Sequence, residues 1–270
     1  VFQFQKTSNY GTSTPAVART LPQGNELLSF FKATKEQKDA CLQVLAELKR
    51  HLVRCVEISD RVSKEIDEGV QKLDALGPNP KIHGNSINLP GVPDLHSNAE
   101  AFLQSAKLAI RECAQLIYPF HGIKHDHRFH KLAAWSEETF GSEDQLTKVV
   151  KTWEPWVKHI VTMRNAVDHP TDSPGGKLFT FDFRVAGTRD EPKFFVPVWG
   201  LTGGEEWDIR GDMQSIIEGG IELGEDVLVA LFEKHKFMDG LFVYEIAKEQ
   251  RDPSFPKRLR VGHRGPHAVA

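Results

Sequence analysis

The feature that most limits the fold of this chain is an apolar stripe. Leu45, Leu48, Leu52, Cys55, Val62, Ile66, Val70 and Leu73 recur in steps of three and four, with one polar gap at Ser59. That is the period of an amphipathic helix. Thr34 with Gln37 three residues later makes a capping box at its start, and Gly77-Pro78 stops it. The spacing predicts one helix from Thr34 to about Leu76. A stripe of that length needs other helices, or a second copy of the chain, to cover it.

Residues 1–24, rich in Ser, Thr, Gly and Pro, have no sustained period and read as an N-terminal arm. A loop from Pro78 to Pro93 leads to a second helix near Ser97 to Tyr118, with Ala99, Phe102, Ala106, Ala109, Ile110, Cys113 and Ile117 facing inward. Pro119 and Gly122 end it, and a third helix runs from Arg128 to Thr139. Ser142 with Gln145 forms another capping box, opening a fourth helix in which Pro155 is either a kink or a new first turn. Its last part carries Trp156, Ile160, Met163 and Val167 at helical spacing, and Pro170 forbids long continuation.

The period then changes from helical to alternating. Phe179, Phe181, Phe183 and Val185 alternate with Thr180, Asp182 and Arg184, predicting a strand over Leu178 to Val185. Lys193 to Trp199 is a second strand of the same hairpin, with Pro197 marking an edge or a bulge. A fifth helix follows from Asp212 to His235, and Leu241 to Ile246 offers a further strand. Lys257, Arg258, Arg260 and Arg264 among Gly and Pro read as a mobile basic tail. The expected fold is α+β and mainly α: an arm (1–24), an antiparallel four-helix bundle (25–172), a small β-hairpin with a fifth helix packed on the bundle (173–250), and the tail (251–270).

A net charge of -3 gives no global attraction to nucleic acid or membranes, so any RNA contact has to be local. Cys41, Cys55 and Cys113 fall on apolar helix positions and read as buried thiols, which points to a reducing, cytoplasmic setting. No apolar run approaches the roughly 20 residues of a membrane span, and Val1-Phe2-Gln3-Phe4 is not expected to open a signal peptide.

The sharpest chemical signal is Met163-Arg164-Asn165-Ala166-Val167-Asp168-His169-Pro170 at the end of the fourth helix. On a helix Asn165 and His169 are four apart, so the amide can orient the imidazole, and Arg164 with Asp168 can pair in the same way. Arg164 and His169 stand about 140° apart around the axis, so two copies across a two-fold converge them more easily than one. The helix C-terminus favours a cationic His169, and a His near neutrality suits acid–base work. Arg258 and His263 repeat the spacing, but in a segment with no helical pattern.

This motif, with its Asn directly after Arg164 and its helical context, resembles the signature of the HEPN superfamily over roughly residues 25–170. The resemblance implies a four-helix bundle, a dimer with a shared site, and cofactor-free, metal-independent RNA cleavage by the RNA's own 2′-OH. His169 would then move protons, Arg164 would stabilise the phosphorane, Asn165 would orient them, and Asp168 would support Arg164. It further implies a toxin-like or phage-defence role with an antitoxin or regulatory partner. The alternative is a non-catalytic HEPN-like module that dimerises or binds a partner, with Arg164 to His169 as a helix cap.

A second cluster is His121, His125, His127 and His130. Four His beside Asp126 could ligate zinc, yet the flanking Lys and Arg oppose a cation, and no metal is assigned. A solvated turn is the plain alternative. The RNA-contact candidates here are Lys124, His125, His127, Arg128, His130 and Lys131. Trp135, Trp153 and Trp156 could stack on bases, although helical spacing beside Val157 and Ile160 favours core packing for Trp156. Gly203-Gly204 and Gly219-Gly220 lack a phosphate-loop pattern and read as turn and close-packing positions.

The long stripe and the angular gap between Arg164 and His169 together predict a two-fold homodimer. Sedimentation at tens of micromolar is expected to return twice the chain mass, and a monomer would count heavily against a composite site.

Overall fold

A computed structural model of the chain describes residues 9–75, 88–168, 176–188 and 191–264. The fold is α+β and mainly helical: of the described residues 61% are in helices and 14% in strands or bridges. The helices are α1 (Pro15–Ala18), α2 (Leu21–Ser29), α3 (Lys35–Asp74), α4 (Leu95–Gln115), α5 (Tyr118–His121), α6 (Phe129–Phe140), α7 (Gln145–Asp168) and α8 (Ile209–His235). The strands are β1 (Leu178–Phe181), β2 (Arg184–Gly187), β3 (Pro192–Phe195), β4 (Val198–Leu201), β5 (Glu206–Asp208), β6 (Leu241–Glu245) and β7 (Leu259–His263). Two compact units emerge, each from discontinuous stretches, so their division does not follow the linear order of 25–172 and then 173–250.

The hairpin unit comprises Arg54–Lys107 and His159–Ile216. Here α3 buries Cys55, Ile58, Val62, Ile66 and Leu73, and α4 buries Ala99, Phe102, Leu103 and Ala106. The polar gap at Ser59 is itself buried, because Ile58 carries the stripe across it. Two continuous strands were expected, but each is broken. β1 pairs with β4 and β2 with β3 in one common register, interrupted where Asp182-Phe183 faces Val196-Pro197. Pro197 has no N–H to give a ladder. Opposite it, the Asp182 carboxylate accepts the Val92 N–H at 2.9 Å and the Phe183 N–H at 2.8 Å. Freed from the pleat, Phe183 packs on Gly69 of α3, where a Cβ would stand 2.4 Å from the ring. An unforeseen strand, β5, extends the sheet to the order β1-β4-β5. Its inner face holds Trp199, which packs edge-on against Phe102 and donates its indole N–H to Asp212 at 2.8 Å.

The terminal unit comprises Val1–Val53, Leu108–Lys158 and Ile217–Ala270. The capping box at the start of α3 is formed, with Thr34 N–H donating to Gln37 and Gln37 N–H to the Thr34 hydroxyl. At the start of α7 it is Asp144 that caps, its carboxylate accepting the Leu146 N–H at 3.0 Å. Pro155 lies inside α7 on an exposed position. Gly219, Gly220 and Gly224 of α8 let Trp156, Leu52 and Leu48 approach to distances that a Cβ would block. Cys41 and Cys113 are buried free thiols, as is Cys55 of the hairpin unit. Burial pushes Cys41 up to about 12.

Two expectations fail in the terminal unit. From residue 15 to its end at 24 the expected N-terminal arm is largely helical, with Ala16 and Ala18 buried, and within the expected basic tail Leu259–His263 forms β7 against β6. One carboxylate explains both. Glu225 of α8 is 1% exposed and accepts from Arg19 Nε at 2.9 Å and Nη2 at 2.6 Å, from Gln23 at 2.7 Å, and from Arg258 at 3.1 Å. The Gln23 side-chain oxygen in turn accepts the Arg258 and Leu259 amides at 2.7 and 2.8 Å. Arg19 is itself buried and also reaches Glu218; burial acts to lower its pKa, but the two carboxylates outweigh it and raise it. Breaking such a pair leaves an uncompensated buried charge, which costs far more than the pair contributes net. Glu225→Ala is expected to destabilise the chain by about 3–5 kcal/mol in urea unfolding. Arg50→Ala, which removes an exposed pair with Glu47, should cost under about 1 kcal/mol.

Candidate functional site

In the hairpin unit the last turns of α7 bury Ile160, Met163 and Ala166. That stripe leaves Arg164 and Asn165 half-buried on its flanks. Each is met by a residue of α4. Arg164 Nε donates to the Gln104 side-chain oxygen at 2.6 Å, and Lys107 Nζ donates to the Asn165 side-chain oxygen at 3.2 Å. Gln104 and Lys107 are three apart on their helix and so project from one side of it. Burial pushes the Arg164 guanidinium below its usual range, although an arginine keeps its charge in proteins.

The structure therefore brings two of the motif residues together with a second cation and a second amide. Both amides direct a cation without adding negative charge, and this polar group suits an anionic ligand such as a phosphodiester. His169 lies outside the described residues, as does the side chain of Asp168. Gln104 and Lys107 were not singled out from the sequence. They lie 60 and 58 positions from their partners, and only the packing of α4 on α7 connects them.

In the terminal unit the His-rich segment does not form one solvated surface. His121 ends α5 and His125 lies in the loop that follows, and both turn toward aromatic rings. His121 meets Phe140 at 5.1 Å and Trp135 at 6.0 Å between ring centres, and His125 meets Trp135 at 4.6 Å. A third imidazole joins them from the end of α8: His235 lies 5.4 Å from His121 and stacks on Phe120 at 4.8 Å. Lys234 pairs with Asp144 beside this cluster and lies 3.9 Å above the Phe140 ring.

The remaining RNA-contact candidates separate from these. Lys124 rests over the Tyr118 ring at 5.1 Å, and Arg128 is tied to Asp126 by its side chain and its amide. His130 and Lys131 are exposed on the first turn of α6, while His127 is half-buried. Among the described residues no group of three or more His, Cys, Asp or Glu is placed to hold a metal ion. Trp153 donates to Asp226 at 2.9 Å and Trp156 lies against Gly219, so both are engaged within the unit.

Among the described residues no helix is long and apolar enough to cross a membrane. No protein family, no curated protein and no solved structure matches the chain.

Proposed function

We propose that this chain is a metal-independent endoribonuclease of HEPN type, with α3, α4, α6 and α7 as the helices of the family's bundle. The observation that supports it best is the set of Arg164, Asn165, Gln104 and Lys107, in which α7 and α4 each contribute one cation and one amide, joined in two hydrogen bonds near the end of α7. In this reading the 2′-hydroxyl of the RNA attacks the adjacent phosphorus. The new P–O2′ bond forms as the P–O5′ bond breaks, giving a cyclic phosphate and a free 5′-hydroxyl. His169 takes the proton from the nucleophile or returns one to the leaving oxygen. Arg164 offers its planar fork to the equatorial phosphoryl oxygens, and Lys107 adds a point charge to the same phosphate. Asn165 sets the direction of Lys107, and Asp168 supports Arg164. Exposed Lys124, Arg128, His130 and Lys131 are the proposed contacts to RNA backbone outside the scissile position. A homodimer, a toxin-like or defence role, and an antitoxin or other regulatory partner complete the reading.

A partner-binding module without catalysis is the second reading, and one observation favours it. Phe181 of β1 and Phe195 of β3 are each more than 40% exposed and both flank the Arg184 guanidinium, at 4.8 and 5.9 Å. Large apolar side chains left in water beside one another mark an interaction surface.

The two readings part in a cleavage assay on structured and single-stranded RNA. Cleavage is expected to persist in EDTA and to spare DNA, which lacks the attacking hydroxyl. His169→Ala should lower the rate by about 10²–10⁴-fold while the fold survives. Arg164→Lys should also fail, and Lys107→Met should weaken RNA binding most at low salt. Loss of activity in EDTA would point to a metal-dependent reaction instead. A wild-type chain that never cuts RNA leaves the partner-binding module as the better reading.

A further inference from the structure

We propose that His121, His125 and His235 form an acid-operated clasp, whose protonation releases the segment from Tyr118 to Arg128 from the C-terminal end of α8. The three imidazoles come from three separate places in the terminal unit: the end of α5, the loop after it, and the end of α8. They meet through rings alone. His235 lies on Phe120 and 5.4 Å from His121, and His121 and His125 share the Trp135 indole. The Nε2 atom of each is sealed from solvent, and among the described residues none of the three has a hydrogen-bond partner.

That arrangement tolerates a neutral imidazole and opposes a charged one. A neutral ring has one N–H and one lone pair, so an unmatched lone pair costs little beside an unmatched N–H of a cation. Protonation would set like charges about one ring apart, next to a fourth cation, Lys234. The carboxylates within reach are already engaged: Asp144 with Lys234, and Asp126 with Arg128. From α6 the cluster is faced by Trp135 and Phe140, and from the strand-like segment after α2 by Phe31, none of which titrates.

The titration of the three groups runs in the same sense. Burial lowers the pKa of all three imidazoles. Lys234 and His125 lower His121 further, with Asp144 opposing; Asp126 opposes the shift of His125; His121 and Lys234 add to that of His235. A folded-state pKa below the unfolded value means that the unfolded chain binds more protons. The stabilisation is therefore complete above about pH 6.5 and is lost as pH falls below that value.

The clasp is independent of the ribonuclease reading and is tested on the full chain without RNA. The wild type is compared with the triple variant H121F/H125F/H235F, which keeps rings in the aromatic box and removes the titration. Between about pH 7.5 and pH 5.5 the wild type should lose at least about 4 °C of Tm more than the variant. Amide exchange should rise over 118–128 and 232–237 in the wild type only. If the variant does not fold, NMR titration of the wild-type imidazoles decides. Midpoints below about 6.5 that coincide with the exchange change support the clasp. Midpoints at or above the ordinary histidine value, or an equal acid response in wild type and a folded variant, overturn it.

Discussion

The first and last segments of the terminal unit meet at the carboxylate of Glu225. A buried carboxylate is tolerable only when its oxygens are saturated with donors, and here two arginines and an amide supply them. The donors come from opposite ends of the chain: Arg19 and Gln23 from the N-terminal helices, Arg258 from the lead-in to β7. Gln23 makes the arrangement specific. Its amide N–H donates to Glu225 while its oxygen takes two backbone amides at 258 and 259, so the register of the last strand is read against α2. An apolar replacement could fill the same volume but could not choose that register, which is the best-attested use of buried polar groups.

How much of this was legible from the sequence depends on the range of the interaction. The long helix, its capping box, the helical fourth segment and the fifth helix follow from periodicities that repeat over many residues, and each is present. The hairpin itself was legible too, from the alternation of Phe179 to Val185 followed by the second strand over Lys193 to Trp199, although its register was not. Its interruption was only half visible: Pro197 announced that one strand lacked a donor, but nothing local says that Asp182 will turn to Val92 or that Phe183 will drop onto Gly69. The ends of the chain misled for the same reason. Residues 15–24 and 251–264 are poor in local pattern, and their order rests on Arg19 and Arg258 meeting a carboxylate more than 200 positions away in the first case.

The candidate site divides along the same line. Arg164 and Asn165 were readable because their spacing to a helix end is a local property, whereas Gln104 and Lys107 enter only once α4 lies against α7. The His-rich segment shows the opposite error. Four histidines in ten positions suggest one shared environment, yet alternate residues of a turn point different ways. His121 and His125 go inward to Trp135, His130 stays in water, and the imidazole that completes the inner group, His235, comes from the end of another helix. Composition finds such a cluster, but only packing decides its membership.

The terminal unit thus holds two interior polar groups that solve the desolvation problem in opposite ways. Around Glu225, charge is met by charge and every acceptor is occupied, so the group fastens distant segments and has no slack to give. Around His235, charge is avoided: three rings stay neutral, stack on aromatics, and leave three nitrogens unmatched. The first solution costs desolvation but holds firmly once formed. The second costs little at neutral pH, because an aromatic wall asks only for a neutral ring, and it holds only while that condition lasts. A protein that needed α5 and its following loop fixed under all conditions would be better served by phenylalanine at these positions. Three titratable rings gathered from three elements make the contact conditional, and that is the physical reason to place a switch there and a permanent fastening at Glu225.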